Sequence, residues 1–455
     1  MNKDIVIIGA GLTGLAIAHY LIKVGFSVAV IEKENRTGGV INSHHEEGFL
    51  YESGPNTGVI SWPEVAELFE ELKPNCKLIT ANPKAKRRLI WKGKKWNAIP
   101  SGLFSAIATP LFTLNDKFRV LGEPWRKPGS NPMENLSDFV CRRLGKSFLD
   151  YVVDPFVSGV YAGKTDYLIP KYALPKLYNL EQKYGSFIKG SMAKAKEKKN
   201  NPRLQKATKE VFSAEGGLQR LTDALAQSVG ETNIFTSCEG TNINQSENGY
   251  LTKTKYEGKE IEITSKYVVT TTGAFTLPEL LPFINHETLK PITNLQYAKI
   301  VQVILGYNKW QGCNIKAFGG LVPSKEKRKI LGVLFTSSFF EGRAPEGGAL
   351  LSVFMGGTRM PEQYDFRDDE IIGILKTEIP EMMQLNSFNP DMLKIFRYRN
   401  AIAQYGADSK ERFETIEKLE EKYQGLFLAG SMRNGIGMAD RIKQAKTIVD
   451  KIMQK

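Results

Sequence analysis

The sequence predicts an α/β fold that combines a parallel sheet with an inserted antiparallel sheet, on the basis of three features. Residues 3–32 carry a strand, turn, helix and strand pattern typical of a nucleotide-binding βαβ unit. Residues 425–452 repeat a buried strand, a glycine turn and a helix, which we expect to join the same parallel sheet. Regularly spaced strands over residues 297–358 favour an antiparallel sheet. The parallel part is therefore expected to be of the Rossmann type.

The βαβ unit places the spacing Gly9-x-Gly11-x-x-Gly14 directly after the apolar strand 4–8. Gly9 permits a tight turn, Gly11 leaves space for a pyrophosphate beside the backbone, and Gly14 lets the helix pack close to the strand. Free N–H groups at the start of that helix favour the same anion. Glu32 ends the second strand, where a carboxylate accepts ribose hydroxyls and disfavours the 2′-phosphate of NADP. Dinucleotide binding is therefore predicted, and the alternative is a glycine-rich turn in an ordinary α/β domain.

Length and composition limit the classes of protein that fit. The chain has 455 residues and a net charge of +13, which favours anionic partners, but it carries no recognisable nucleic-acid module. The four cysteines are far apart, so we expect a reduced cytoplasmic protein with neither disulfides nor a metal site. A strand that begins at residue 4 leaves no room for a signal peptide. The apolar stretch 98–114 is broken by prolines and a glycine, so it is expected to line a pocket or enter a membrane interface rather than span a bilayer.

Patterns along the chain predict the remaining elements. We expect a helix over 61–73 capped by Ser61, a hairpin over 86–99, and helices over 369–378 and 408–422. His44 and His45 are expected in a surface turn, and the lysine-rich residues near 190–205 in an exposed or mobile segment. The expected domains comprise a nucleotide-binding domain (1–80, 206–275 and 405–455), a substrate-binding domain (81–97 and 276–404) and a helical region (98–205).

Two further segments resemble a known superfamily. Glu32–Val40 reads EKENRTGGV and Glu52–Thr57 reads ESGPNT. They resemble the E-x(3)-R-x-G-G and E-x-G-P segments of the amine oxidase-like flavoproteins. The resemblance implies an amine oxidase-like fold and FAD rather than NAD. It also implies a non-covalent flavin, because Ser431-Met432 stands near the place where monoamine oxidases attach the flavin to a cysteine.

Longer segments are similar to the protoporphyrinogen oxidases of haem synthesis, including bacterial relatives that oxidise coproporphyrinogen III. These segments are DPFVSGVYAGKTDYL (154–168), LPKLYNLEQKYGSFIKG (174–190), AEGGLQRL (214–221), AFGGLVP (317–323), LGVLFTSSFF (331–340) and NAIAQY (400–405). Three positions depart from the family pattern. Ala403 replaces a usual proline, Tyr398 replaces an aromatic residue that is often tryptophan, and the segment GMADRI lacks a cysteine that many members have.

The resemblance implies an activity as well as a fold. The substrate would be a porphyrinogen, oxidised by six electrons in three rounds, with dioxygen as acceptor and hydrogen peroxide as product. We expect protoporphyrinogen IX, with coproporphyrinogen III as the alternative. The same resemblance implies peripheral contact with the inner face of the cell membrane and hand-over of product to ferrochelatase. No nucleic-acid partner is expected, and the oligomeric state, monomer or homodimer, stays open.

Site residues carry over from the family to matching positions. The expected flavin contacts are Gly9, Gly11, Leu12, Thr13, Gly14, Glu32, Lys33, Arg36, Gly38, Gly39, Val40, Gly54, Pro55, Asn56, Thr57, Cys238, Gly430, Gly437 and Met438. Cys238 would act through its backbone near the adenine, and the helix that opens at Gly437 would direct its N-terminus at the flavin N1/O2 edge.

On the substrate side, Arg88 would hold a propionate through two hydrogen bonds, and Gly159 would present backbone to the tetrapyrrole. The expected apolar walls are Phe318, Leu321, Leu334 and Phe354. The plainer alternatives are a surface charge for Arg88 and ordinary core for the walls. No catalytic side chain is assigned, because the flavin performs the chemistry.

Three rival interpretations stay open at this point. An amine oxidase would use a lysine-held water, for which Lys299 is the candidate, and a carotenoid desaturase would share the same flavin motifs. A non-catalytic escort of the GDP-dissociation-inhibitor type has the same architecture without redox chemistry. The flavin motifs at both ends of the chain argue against the escort.

Overall fold

The computed structural model describes residues 1–100 and 109–454. Its strands are β1 Asn2–Ile8, β2 Val28–Ile31, β3 Ser43–Glu46, β4 Phe49–Glu52, β5 Gly58–Val59, β6 Leu78–Thr80, β7 Arg88–Lys92, β8 Lys95–Ala98, β9 Val211–Ala214, β10 Ile234–Phe235, β11 Glu239–Ser246, β12 Gly249–Tyr256, β13 Lys259–Thr270, β14 Tyr297–Tyr307, β15 Gly319–Leu321, β16 Gly332–Leu334, β17 Ala349–Gly356, β18 Met392–Ala403 and β19 Leu426–Leu428.

The longer helices separate and cover these strands. They are α1 Leu12–Lys23, α2 Pro63–Glu71, α3 Leu114–Leu121, α4 Leu136–Arg143, α5 Pro175–Tyr184, α6 Phe187–Lys199, α7 Gln219–Val229, α8 His286–Thr293, α9 Asp368–Met383, α10 Ser409–Lys422 and α11 Met438–Met453. Between α4 and α5 the chain forms five short α and π turns, namely Lys146–Phe148, Leu149–Val153, Asp154–Phe156, Val157–Tyr161 and Pro170–Ala173.

The first sheet gathers strands from both ends of the chain. Its order is β10-β2-β1-β13-β12-β11, and β19 pairs with the end of β13. β10, β2, β1, β13 and β19 run parallel, whereas β12 and β11 complete the sheet as an antiparallel meander. Ile5, Ile7 and Val30 pack on one face with α1, α7 and α11, and Val6 and Ile31 pack on the other. Both faces are covered, which explains why residues 5–8 of β1 and all of β2 are apolar.

The second sheet is mostly antiparallel, as the spacing of its strands predicts. Its order is β18-β14-β17-β16-β15-β7-β8, and only β7 and β15 pair in parallel. One face packs against α9, where the fully buried Val301, Val303 and Val353 meet Ile371 and Leu375. The hairpin predicted over 86–99 is confirmed as β7 and β8, with Trp91 opposite Trp96.

A buried ionic network holds the helical region between α3 and α6. Arg143 and Glu123 are both fully buried and form an ion pair, and Arg143 Nε lies 3.4 Å from Glu181 Oε1. Ser186 Oγ donates to Glu123 Oε2 at 2.6 Å, so the carboxylate is also hydrogen-bonded. This pairing compensates the desolvation of the charges and fixes α4, α5 and α6 to one another.

Several local expectations need correction. Trp62, not Ser61, occupies the N-cap position of α2, and its side chain makes no capping bond. His44 and His45 lie in strand β3 rather than in a turn, since β3 pairs with β4 across a two-residue turn. The residues near 190–205 are exposed, but they are mostly helical, because Ser186 Oγ caps α6 by accepting from Lys189 N at 3.1 Å.

The stretch 98–114, which we expected to line a pocket or enter a membrane interface, includes residues 101–108 and so falls partly outside the described residues. Among the helices of residues 1–100 and 109–454, none is both long and apolar enough to cross a membrane.

Candidate active site

The glycine turn after β1 contains two glycines with different roles. A Cβ on Gly14 would lie 1.9 Å from the carbonyl oxygen of Gly9, so α1 could not pack against β1 with any larger residue there. A Cβ on Gly11 would meet only Gly39 Cα, at 4.0 Å. Gly11 is therefore not required by packing, and the open space beside it is where a ligand can approach the backbone. Gly11 also precedes α1 without a side-chain cap, which leaves the first N–H groups free for an anion.

A second loop, residues 33–42 between β2 and β3, crosses the glycine turn. Gly38 N donates to the carbonyl oxygen of Ala10 at 2.8 Å, and Gly38 pairs with Gly11 as an isolated bridge. The guanidinium of Arg36 donates to the carbonyl oxygens of Thr37, Gly39 and Ile41 at 2.6–3.1 Å. Arg36 therefore shapes the loop that brings its positive charge close to the glycines.

Glu32 lies at the end of β2 as a buried carboxylate. Its Oε2 accepts from Ala10 N at 2.7 Å and its Oε1 accepts from Glu34 N at 2.9 Å. Each oxygen keeps a further lone pair for a ribose hydroxyl. Cys238 N donates to the carbonyl oxygen of Glu32 at 2.9 Å, and burial raises the pKa of the Cys238 thiol. Cys238 thus adjoins Glu32 through its backbone, and its thiol stays protonated.

The next expected flavin residues lie in the first turn of α1, in the second loop and in the ESGPNT loop. Leu12 and Thr13 are buried in the first turn of α1. Lys33 is exposed beside Glu34, and Val40 is exposed at the tip of the second loop. A Cβ on Gly54 would lie 2.0 Å from the carbonyl oxygen of Val40, so the ESGPNT loop packs directly on that tip. Pro55 and Thr57 are half-buried in this loop.

The ESGPNT loop is held against the second sheet by hydrogen bonds. Gln302 of β14 donates from Nε2 to the carbonyl oxygen of Glu52 at 2.9 Å, and its Oε1 accepts from Gly54 N at 3.0 Å. Asn56 Oδ1 accepts from Ser352 Oγ of β17 at 2.7 Å. Sequence reasoning missed Gln302 and Ser352. A lone glutamine inside the apolar run YAKIVQVILGY is the signal that could have found Gln302.

A buried ion pair anchors the same loop from the other side. Arg343 Nη1 donates to Glu52 Oε1 at 2.7 Å, and the side chains of both residues are at most 3% exposed. Glu52 Oε1 also accepts from Leu218 N at 3.0 Å, and Arg343 Nη2 donates to Ser213 Oγ at 2.9 Å. The pair therefore joins the loop, the start of α7 and the segment before β17. No local pattern marks Arg343 in the sequence.

The C-terminal turn closes the cofactor end. Gly430 follows β19 with φ +94°, and a Cβ there would lie 2.9 Å from the carbonyl oxygen of Thr271, next to the glycine turn. α11 begins at Met438 after Gly437. Arg441, which is buried, donates to the carbonyl oxygens of Arg433 and Gly435 at 2.8 and 2.7 Å. The segment before α11 is thus fixed beside the first βαβ unit.

Strand register places the expected substrate residues on one face of the second sheet. Leu321, Gly332, Phe354 and Gln302 are successive cross-strand partners, as are Arg88, Gly319, Leu334 and Ser352. Cross-strand partners point to the same side of a sheet. Leu321, Leu334 and Phe354 are half-buried, whereas Val333 and Val353 on the opposite face are at most 1% exposed. Leu321, Leu334 and Phe354 therefore form a half-buried apolar surface on the face that bears Gln302 and Ser352, next to the ESGPNT loop. We call it the cleft face.

The other two expected residues adjoin this face. Phe318 stacks on Phe339 with ring centroids 4.5 Å apart and packs beside Leu334. The Arg88 guanidinium lies 5.8 Å from the centroid of Phe318 and is exposed at the edge. Gly159 lies in the turn Val157–Tyr161, and a Cβ on it would lie 2.4 Å from Leu321 Cδ2. The structure thus brings all six expected substrate residues to one surface with a cation at its rim.

Other candidates lie elsewhere or make different contacts. Lys299 Nζ lies 3.4 Å from Asp365 Oδ2 and over the Tyr364 ring, so its charge is already engaged. Among the described residues, no group of three or more histidine, cysteine or acidic side chains could hold a metal ion. His44, which was expected at the surface, is half-buried and hydrogen-bonds through Nε2 to Ser53 Oγ at 2.7 Å.

These contacts test whether the residues fit a flavin dinucleotide. The open space at Gly11, the uncapped start of α1 and the buried carboxylate of Glu32 match a pyrophosphate and a ribose in the correct order. The cleft face adjoins this cofactor end through the ESGPNT loop, which contacts Gln302 and Ser352. The fold and this site define a dinucleotide-binding protein with a half-buried apolar surface beside the cofactor end.

Comparison with known proteins identifies the family. The family described as flavin containing amine oxidoreductase matches residues 12–453. Protoporphyrinogen oxidase 1 of the Arabidopsis thaliana chloroplast is 30% identical over 473 residues, which cover 98% of this chain and 87% of that protein. Coproporphyrinogen III oxidase of Bacillus subtilis (strain 168) is 25% identical over 469 residues, covering 98% and 97%. The chain therefore belongs to the flavin-containing amine oxidoreductases and, within them, to the protoporphyrinogen and coproporphyrinogen III oxidase family.

The fold comparison agrees. A crystal structure of an Exiguobacterium sp. 255-15 protein, provisionally assigned as a protoporphyrinogen oxidase, covers 100% of this chain and 99% of its own with a TM-score of 0.81 at 22% identity. The predicted amine oxidase-like fold and the predicted flavin are confirmed, and the protein is a flavin-dependent oxidoreductase.

Proposed function

We propose that this protein binds FAD without a covalent link and uses dioxygen to oxidise a porphyrinogen to a porphyrin in haem synthesis. The observation that carries the proposal is the cleft face, a half-buried apolar surface with one guanidinium at its rim, set directly under the ESGPNT loop. A tetrapyrrole has the matching chemistry, because its macrocycle is apolar and its propionates are anionic. The full-length likeness to porphyrinogen oxidases supports the same conclusion.

The residues of the cofactor end would each hold one part of FAD. Gly11 and the first turn of α1 would bind the pyrophosphate, and Glu32 would accept the ribose hydroxyls. The N-terminus of α11 at Gly437 and Met438 would lie at the N1/O2 edge, where its partial positive charge favours the reduced ring. FAD supplies the chemistry, which is acceptance of a hydride from a methylene bridge.

The cleft face would position the substrate and exclude water. Leu321, Leu334 and Phe354 present a flat apolar wall, so a macrocycle that packs there is desolvated beside the cofactor. Arg88 would pair with a propionate through a forked contact and so fix the orientation of the ring. Gly159 packs on Leu321 and leaves only backbone at that point of the wall.

Protoporphyrinogen IX is the proposed substrate, and coproporphyrinogen III is the second candidate. The second is favoured by the exposed cations that precede Arg88, namely Lys84, Lys86 and Arg87, since a substrate with more carboxylates would find more partners there. The test is aerobic oxidation of both compounds side by side, followed by porphyrin fluorescence. We expect oxidation of at least one, with a clear preference in kcat/KM. A flavin-loaded protein that oxidised neither would contradict the proposal.

We also propose peripheral contact with the inner face of the cell membrane. α3 exposes Leu114, Phe118 and Leu121 at one-turn spacing, with 58–70% of each residue accessible, and Trp125 is 81% exposed. Ser186, at the start of the lysine-rich α6, hydrogen-bonds to Glu123, so α6 adjoins this patch. Apolar side chains beside lysines suit an anionic bilayer surface. Phe118→Ser with Trp125→Ser should abolish co-sedimentation with anionic vesicles, whereas retained binding would contradict this contact. Product transfer to ferrochelatase and the choice between monomer and homodimer stay predictions.

A further inference from the structure

Three polar side chains line the way from the cleft face to the surface. The Tyr398 hydroxyl lies near Ser53, and Ser53 Oγ lies 2.7 Å from His44 Nε2. Ser53 belongs to the ESGPNT loop, between Glu52 and Gly54. The roles given above to the flavin and the cleft use none of these three side chains.

Tyr398 stands at the inner end of this path. It lies on β18 opposite Ile300 and packs in the same cluster as Phe354. Phe396, two residues earlier, pairs with Gln302, so Tyr398 and Phe396 share the cleft face. The family resemblance leads one to expect an aromatic residue that is often tryptophan here. A tyrosine instead adds a hydroxyl to the wall of the reaction surface.

His44 stands at the outer end of the path. Its ring stacks on Tyr51 and Phe396 with centroids 4.9 and 5.8 Å away, which fixes the imidazole beside Ser53. The charged groups around it are Glu46 on its own strand, Glu52 on β4, Lys394 on β18 and Arg36 on the second loop. Burial lowers the pKa of His44, so the imidazole is neutral and able to accept a proton near neutral pH. Burial raises the pKa of Tyr398 to about 12, so its hydroxyl stays protonated and passes protons only by exchange.

We propose that Tyr398, Ser53 and His44 form a proton relay that removes the proton released in each oxidation round. The proposal rests on the proposed porphyrinogen oxidation. In each round a methylene C–H bond breaks and its hydrogen leaves with both electrons as hydride. A second hydrogen then leaves as a proton from a pyrrole N–H or, through tautomerisation, from a neighbouring carbon. Dioxygen takes up the two electrons and two protons to give hydrogen peroxide, so the hydrogens balance.

The relay gives the released proton a route that crosses no apolar wall. Tyr398 accepts it while its own proton moves to Ser53, and the hydroxyl of Ser53 passes a proton to His44 Nε2. His44, which is half-buried, then releases a proton to solvent. A proton left in the cleft would oppose the next round, because the macrocycle would become more positive and the apolar surface cannot stabilise that charge.

The first test is steady-state kinetics on the flavin-loaded enzyme. His44→Gln and Tyr398→Phe should each lower kcat about a hundredfold, the lower end of what a positioned acid–base group contributes. The flavin content should not change. The acid limb of the pH–rate profile, which falls as His44 becomes protonated, should disappear in His44→Gln, and added imidazole should restore part of the rate.

His45→Gln is the matched control, because His45 is the next residue and its Nε2 contacts the carbonyl oxygen of Gly216 instead. It should leave both kcat and the pH profile unchanged. An unaltered pH profile in His44→Gln would overturn the relay while leaving the porphyrinogen activity in place.

A second test needs no porphyrinogen. The chain has only four histidines, so the imidazole of His44 can be followed by NMR in the labelled holoenzyme. Ser53→Ala and Tyr398→Phe should shift the pKa of His44 but not that of His45. If the pKa of His44 were the same in Ser53→Ala and Tyr398→Phe as in the unmodified protein, the relay would be overturned whatever the substrate is. Failure of the proposed function is separate, since it would show as absent oxidation of both porphyrinogens by the unmodified enzyme.

Discussion

The cofactor end and the cleft face of this molecule are built in opposite ways. At the cofactor end, main-chain atoms of neighbouring segments pack directly on one another. The residues that permit this packing are glycines, several of them a few positions apart along the chain. At the cleft face, side chains from β7, β15, β16, β17 and β14 meet only through strand register. The first region depends on the absence of a Cβ, and the second on which side of the sheet each side chain faces. Substitutions should therefore damage the two regions differently.

The largest expected effect separates two glycines of one motif. Gly14→Val should strongly lower the stability of the fold, because its Cβ would lie 1.9 Å from the Gly9 carbonyl oxygen and overpacking typically costs about 1–3 kcal/mol, more where backbone is struck. Gly11→Ala should fold normally and lose about tenfold in FAD affinity, because its Cβ enters only the space kept for the ligand. Thermal unfolding and flavin titration measure the two outcomes. Equal loss of stability in both variants would contradict the distinction.

The next effect concerns the ion pair that joins the two regions. Arg343→Met should lower the free energy of unfolding by about 3–5 kcal/mol, because it leaves the Glu52 carboxylate buried without its partner. Flavin affinity should fall too, since Glu52 opens the ESGPNT loop. The exposed pair Lys73–Glu70 provides the control, and Lys73→Met should cost at most about 1 kcal/mol. Denaturant unfolding with flavin fluorescence measures both. If Arg343→Met and Lys73→Met lowered the free energy of unfolding by similar amounts, the Glu52 carboxylate would have to be solvated.

A smaller effect compares the two faces of the second sheet at adjacent residues. Val353→Ala should lower stability by about 2 kcal/mol through lost packing against α9, with little change in KM. Phe354→Ala should raise KM at least about fivefold. It should lower stability by less per atom removed than Val353→Ala does, because Phe354 is already half-exposed. The reverse pattern would place the reaction surface on the other face.

The smallest effect is at the rim. Arg88→Ala should raise KM about tenfold with flavin content unchanged, because one carboxylate contact is lost. Arg367→Ala is the control, since it removes another exposed guanidinium, at the start of α9 on the opposite side of the sheet. Steady-state kinetics on the preferred porphyrinogen measures both variants. An unchanged KM in Arg88→Ala would contradict the contact between Arg88 and a substrate propionate.

The same contrast explains what the sequence could predict. Gly9, Gly11, Gly14 and Glu32 are close in sequence and are constrained by backbone geometry, so their pattern is readable without a structure. The polar residues that join the sheets, Gln302 and Arg343, act on partners about 250 and 291 positions away, and no local pattern encodes such a contact. The adjacent histidines His44 and His45 predict a surface turn, but His44 is half-buried in β3. Its burial comes from Phe396, which only the tertiary structure brings beside it.

The cleft face was predicted in part. The residues carried over from the family do lie together, but the half-buried state that sets them apart from Val333 and Val353 follows from what covers each face. α9 covers one face, and the ESGPNT loop leaves the other open. Alternation within a strand indicates that two faces exist, and it does not indicate which one a helix will cover.

The most direct test of the central claim is an anaerobic single-turnover experiment. Flavin-loaded protein would be mixed with excess protoporphyrinogen IX, and separately with coproporphyrinogen III, in the absence of dioxygen. We predict rapid loss of the oxidised-flavin absorbance with at least one of them, and recovery of the absorbance with porphyrin fluorescence once dioxygen is admitted. Flavin that stayed oxidised with both compounds would contradict the claim that the cleft face presents a porphyrinogen to the cofactor.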